Sequence, residues 1–282
     1  MQLRSSILTT FTGISFAMLS ALPALAQQNA DISAGVKAPA TVKVDGKLTE
    51  WGNLPAYNKS TTLRYTLAND AKNLYLAITC TDDANINKLL GGGLTFTINT
   101  DGKKKEKDAV VIEYPMAGRG GMRGFRPGGN RGGQGATAPD TAAIVAARKQ
   151  SATAAKELSV TGIKDITDTL VSIYNTYGIK TGISFDAKGS MFYELAIPLN
   201  LIGLSADKST ELAYNLKLNG IQFGGNNRDQ ARQGGAGGNR QGGGGGFGGG
   251  GNGGGGNFGG GGALMEMMTP TDFWGKYKLA KP

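Results

Sequence analysis

The chain has 282 residues, a formal charge of +9, a single cysteine and no histidine. Without histidine it cannot build Ser-His-Asp or Cys-His nucleophilic systems, the common zinc sites or histidine-ligated haem. Lone Cys80 allows no internal disulfide, so the fold must rest on a hydrophobic core. Carboxylate or lysine chemistry stays open, but the balance tilts toward binding.

The start reads as an export signal. Arg4 precedes a largely apolar run over 7–25, and Ala24-Leu25-Ala26 offers a cleavage site ahead of Gln27. Ser, Thr and Gly interrupt that run, which falls short of the roughly 20 apolar residues a membrane span needs. The expected mature protein is 27–282, placed in the periplasm, at the cell surface or outside the cell. Residues 27–40 read as a linker to one domain over 41–282.

Two Arg/Gly-rich stretches, 115–140 and 224–262, interrupt that domain, and the second is more than half glycine. Such compositions cannot bury enough surface to fold, so both read as disordered insertions. Growth of this kind is cheap, because doubling a loop costs only ~0.6 kcal/mol of closure entropy. The remaining residues suit a single β-sandwich.

Along the rest of the chain an alternating pattern recurs. A short strand is expected at 41–44. Residues 61–68 set Leu63, Tyr65 and Leu67 on one face, and 73–80 do so with Leu74, Leu76, Ile78 and Cys80. Further strands are predicted at 94–98, 178–185, 191–197, 212–218 and 273–279. The turn residues 186–189 make 178–185 and 191–197 a hairpin. A parity shift to Ile221 and Phe223 beyond Gly220 suggests a bulge. One short helix is expected at 141–158, with Asp140 as its N-cap. The fold class is therefore all-β, an antiparallel sandwich.

Four blocks in order carry a family likeness: VDGKLTEW at 44–51, NLYLA at 73–77 running into Asp82-Asp83, Asp101-Gly102 after 94–99, and YELAIPL at 193–199. The chain from 41 to about 279 resembles the family 9 carbohydrate-binding module-like domains of the DOMON superfamily. That resemblance implies a sandwich of about nine to eleven strands, export, and in some members reversible sugar binding without covalent chemistry. Sugar-binding members clamp a terminal sugar between two tryptophans. Here Trp51 reads as core packing beside the first turn and Trp274 begins the last strand, so the clamp is not carried onto these positions.

Sugar recognition needs an aromatic face with polar partners for hydroxyls. The candidate ligand contacts are Arg64, Tyr75, Tyr174, Tyr177 and Trp274, with Tyr57 as a further platform. Tyr75, opposite to its strand's apolar parity, should face outward or toward a covering loop. An alternative partner is an extracellular polyanion held by Arg119, Arg123, Arg126, Arg131, Arg228, Arg232 and Arg240, with the sandwich as scaffold.

No cofactor is expected. Asn99-Thr-Asp-Gly102 opens like a calcium loop, but Lys103 and Val110 stand where an EF-hand needs oxygen donors. A structural calcium elsewhere would draw on Asp45, Glu50, Asp82 and Asp83. No spacing sets two of Glu50, Asp82, Asp83 and Glu194 at a separation for glycoside hydrolysis. Glu194 alternates outward from Tyr193 and Leu195 and reads as an ordinary surface position.

Overall fold

The computed structural model describes residues 34–116, 140–221 and 261–282. The expected leader and all seven arginines of the Gly-rich stretches lie outside the described residues.

In chain order the elements are β1 (Ala56–Asn58), β2 (Leu63–Asn69), β3 (Asn73–Cys80), α1 (Asp83–Gly92), β4 (Leu94–Asn99) and β5 (Val110–Tyr114). After α2 (Thr141–Ala154) come β6 (Glu157–Thr161), β7 (Leu170–Ser172), β8 (Lys180–Phe185), β9 (Met191–Pro198) and β10 (Glu211–Leu218). The helix α3 (Gly261–Met268) and β11 (Thr271–Lys278) complete the described chain. One sheet runs β1-β2-β3-β9-β8 and the other β11-β10-β4-β5-β6-β7, with every strand pair antiparallel. The expected all-β sandwich is the observed architecture, with eleven strands among the described residues.

Alternation decides which side chains meet between the sheets. The five-stranded sheet sends in Leu63, Tyr65, Leu67, Leu76, Ile78, Tyr193 and Leu195, and the other sends Phe96, Ile98, Ile112, Val160, Tyr214 and Leu216. Tyr65 and Tyr214 join their hydroxyls at 2.9 Å across the middle of this core. One phenol therefore donates to the other where water is excluded. Gly275 of β11 makes room for that pair: a Cβ there would lie 2.3 Å from the Tyr214 ring.

At one end Asn69 ties the sheets together. Its Oδ1 accepts from the Tyr277 hydroxyl at 2.7 Å and the Ala280 amide at 2.8 Å, and its Nδ2 donates to Ala280 O. Residues near the described N-terminus join there too, with backbone bonds from Asn69 N to Val36 O and Ala38 N to Asn69 O.

Several expectations are corrected. Among the described residues three α-helices and two short 3-10 helices stand where one helix was predicted. The predicted helix at 141–158 ends at Ala154, because Leu158 and Val160 alternate into the core from β6. Helix α1 went unpredicted although its signals are present. Asp82 Oδ1 caps the Asn85 amide at 2.8 Å, and Ile86 and Leu89 are buried one turn apart. Residues 41–44 form no strand. Strand β10 ends at Leu218, and Ile221 donates its amide to Met267 O; Phe223, the other residue of the expected bulge, lies outside the described residues.

Tyr114 and Leu218, the last residues of β5 and β10, both pair with Leu94 from opposite sides, two strand spacings apart.

Candidate functional site

The outer face of the five-stranded sheet carries the site, and a docked loop shapes it. Glu194 on β9 points away from the core, as its parity requires, yet it is 1% exposed. Its Oε2 accepts the amides of Asp45 (3.0 Å) and Gly46 (2.8 Å), and its Oε1 accepts Trp51 Nε1 at 2.8 Å. The DG and EW ends of the 44–51 block are therefore pinned to one carboxylate.

Gly182 on β8 allows this approach. A Cβ at Gly182 would stand 2.5 Å from the Gly46 nitrogen, so only glycine lets the loop backbone lie flat on the sheet. Gly46 itself has φ +79°, a conformation that side chains rarely adopt. Ser184 Oγ donates to Gly46 O at 2.6 Å and completes the anchor.

Sequence reasoning took Glu194 for a surface position and Trp51 for core packing. Trp51 lies instead half-buried on the outside of the sheet, edge-on to Tyr75 with ring centroids 5.9 Å apart. Tyr75 faces a covering loop, as its parity allowed, and is 7% exposed. Its hydroxyl donates to Asp70 Oδ2 at 2.8 Å, which commits it to the fold.

Burial pushes the Glu194 carboxyl above its ordinary range. The donors on Trp51, Gly46 and Asp45 oppose that shift, and the nearby Asp45 charge adds to it. A raised carboxyl is what a general acid needs. Both oxygens of Glu194, however, are already occupied by donors from this chain, so it acts as a latch for the loop.

Beside the latch lies an open cleft of about 710 Å³. Its floor is one cross-strand row, Arg64–Thr79–Phe192–Ser184, built by the register of β2, β3, β9 and β8. The latched loop, 47–54, forms one wall, and Lys149 of α2 faces it. Arg64 Nη1 donates to Leu54 O at 3.4 Å, and its guanidinium carbon sits 5.6 Å above the Tyr57 ring.

Helix α2 is itself fixed by Arg148. That side chain donates to Asp83 Oδ1 at 2.7 Å, to Asn87 Oδ1 and to Gly189 O. Lys149, the next residue, projects exposed into the cleft.

The structure separates the other predicted contacts. Tyr174 is 75% exposed just beyond β7, where Lys156 Nζ stands 3.3 Å from its hydroxyl. Tyr177 packs partly against the core ahead of β8. Trp274 lies half-buried on the outer side of the other sheet, opposite Asn215. Of the five, Arg64 alone lines the cleft. Phe192, Lys47 and Lys149 were missed, and the outward parity of Phe192 beside Tyr193 was the available signal.

Among the described residues no three His, Cys, Asp or Glu side chains gather where a metal ion could sit. The carboxylates considered for calcium have partners within the chain. Asp45 accepts from the Lys47 amide, Glu50 from Thr49, Asp82 from the Asn85 amide and Asp83 from Arg148. At the 99–102 turn Asn99 takes the central place, accepting from the amides of Asp101 and Lys103.

No known family pattern matches the sequence, and no curated protein matches it. Three solved chains match by structure. One is a carbohydrate binding module family 9 (CBM9) from Caldicellulosiruptor kristjanssonii in complex with glucose. It is 10% identical, covers 67% of this chain and 78% of its own, and superposes with a TM-score of 0.31. A likeness at that level carries no argument about ligand or site. By its own strand pairing this chain is an antiparallel sandwich with an open, cation-lined cleft on one outer face.

Proposed function

We propose that the protein is an exported, non-catalytic binding module that holds a glycan or related extracellular ligand reversibly in the cleft beside the latched loop. The observation that carries this reading is the floor row. It offers an aromatic ring, Phe192, flanked by the hydroxyls of Thr79 and Ser184 and the guanidinium of Arg64. A pyranose presents an apolar C–H face and a rim of hydroxyls, and such a row answers both. The reading involves no covalent step, and Glu194, the carboxylate with an acid's environment, is spent on the loop.

The test is calorimetric titration of the full chain with a panel of oligosaccharides, repeated for Phe192→Ala and Arg64→Ala. Binding that drops at least ten-fold in Phe192→Ala, with an unchanged melting temperature, supports the cleft. Binding untouched by either substitution moves the site elsewhere. Turnover of any glycoside sinks the non-catalytic reading. Binding of anions that vanishes when the seven arginines of the Gly-rich stretches become alanine would favour the polyanion alternative.

A further inference from the structure

Resting on that reading of the cleft, we infer that its ligand is acidic: a carboxylate-bearing sugar, such as a uronic acid residue of a polysaccharide. Lys47 from the latched loop, Arg64 from β2 and Lys149 from α2 all line one cleft, and no aspartate or glutamate lines it among the described residues. These elements are far apart in the chain, so their convergence is a product of the fold. Asp45 reaches Lys47 at 3.8 Å, but Lys47 remains 68% exposed. A pair that open to water is worth little and leaves the ammonium available to a ligand.

The donor and acceptor balance points the same way. Lysine and arginine side chains only donate hydrogen bonds. A neutral sugar brings hydroxyls that need acceptors as well as donors; the cleft's three charged groups offer only donors, leaving acceptance to neutral groups such as Thr79, Ser184 and Asn53. A uronate brings two strong acceptor oxygens and a charge opposite to that of the three cations. Clefts lined by one sign of charge also concentrate the opposite ion.

The geometry adds selectivity for a sugar acid over a bare anion. Arg64 is held by Leu54 O and the Tyr57 ring, so its positive charge stays fixed at the cleft. Half-buried Phe192, with Leu48 and Leu54, supplies an apolar surface that a small inorganic anion would leave unused. A pyranose ring with its carboxylate toward the cations uses both parts.

The experiment uses matched oligomers of galacturonate, glucuronate and mannuronate, each beside the same oligomer after carboxyl reduction to the neutral sugar. Titrated into the full chain, at least one uronide should bind ten-fold or more tightly than its reduced partner. Raising the salt should narrow that gap. Lys149→Ala should weaken the uronide at least five-fold without lowering the melting temperature, and Arg64→Ala should weaken it at least five-fold.

Changing Arg119, Arg123, Arg126, Arg131, Arg228, Arg232 and Arg240 together to alanine should leave the preference intact. Loss of preference in that variant places the anion on the Gly-rich stretches and overturns the inference. Equal binding of acidic and reduced oligomers overturns it too, while the glycan reading stands. Binding of no oligomer, acidic or neutral, overturns both.

Discussion

Trp51 Nε1 donates to Glu194 Oε1 across 143 positions of sequence, at 2.8 Å. With the amides of Asp45 and Gly46 on the other oxygen, this bond makes one buried carboxylate the anchor of the loop that walls the cleft. Buried Leu54 and the Trp51 ring on Tyr75 add apolar contact to the same loop, and the polar bonds are strong because water is kept out.

Glu194→Ala should be among the costliest single changes on this face. It leaves two backbone amides and an indole N–H without their acceptor, and about 2–4 kcal/mol of stability should go. Urea unfolding measures this as a shifted midpoint at unchanged slope. Trp51→Phe keeps a ring against Tyr75 and removes one donor, so about 1 kcal/mol is expected. A loss below 0.5 kcal/mol (roughly the effect of an ordinary surface change) in Glu194→Ala would contradict the latch.

Gly182→Ala tests the close approach of loop and sheet. The new methyl meets the Gly46 nitrogen at 2.5 Å, where backbone must move. Overpacking of this kind costs about 1–3 kcal/mol. Trp51 fluorescence should shift toward that of a solvated indole, and ligand affinity should fall with it. An unchanged spectrum would mean that the loop is not seated on Gly182.

Asp70 contributes one part of the acid response. Burial acts to raise its carboxyl, but hydrogen bonds from the amides of Asn73 and Lys72, the Tyr75 hydroxyl and the Asn73 side chain outweigh it. Its folded-state pKa therefore lies below the ordinary 3.8. Such a group stabilises the fold above its unfolded pKa, and the contribution is lost as pH falls through the folded value. Asp70→Asn should lower the urea midpoint at pH 6, and the gap to the unsubstituted protein should close below pH 3.8. A gap that stays constant down to pH 2 would remove Asp70 from the acid response.

Cys80 should be inert in the folded protein. It is 2% exposed, and burial, chief among several influences, pushes its thiol up from the ordinary value. Reaction needs the thiolate and access to it. A thiol reagent should label it at least 100-fold more slowly in buffer than in urea. Rapid labelling in buffer would show that this end of β3 opens.

The Gly-rich stretches should matter little to stability. Halving each one removes about 0.6 kcal/mol of closure cost apiece. The shortened chain should therefore be up to about 1 kcal/mol more stable, with its affinity for cleft ligands unchanged. A destabilised shortened chain would show that the stretches contribute contacts to the sandwich.

The seven longer strands were legible in the sequence because alternation is a local property, whereas the short β1, β5, β6 and β7 went unpredicted. Leu74, Leu76 and Ile78 announce a buried face whatever lies opposite them. Helix α1, which went unpredicted, has local signals too in the Asp82 cap and the Ile86 and Leu89 spacing, but its apolar stripe is shorter than the strand alternation on either side. What Glu194 does was not legible. Outward parity says only that a side chain leaves the core, and the loop that covers this one comes from 143 positions earlier.

The cleft lies further still from the sequence. Arg64, Thr79, Phe192 and Ser184 become neighbours only when four strands take their registers, and Lys149 joins them only when Arg148 seats α2. By itself the sequence determined the inward faces, because burial of apolar side chains follows a period of two along one strand. Tertiary structure alone decided which outward side chains meet, because that depends on pairing between distant segments, which no local pattern records.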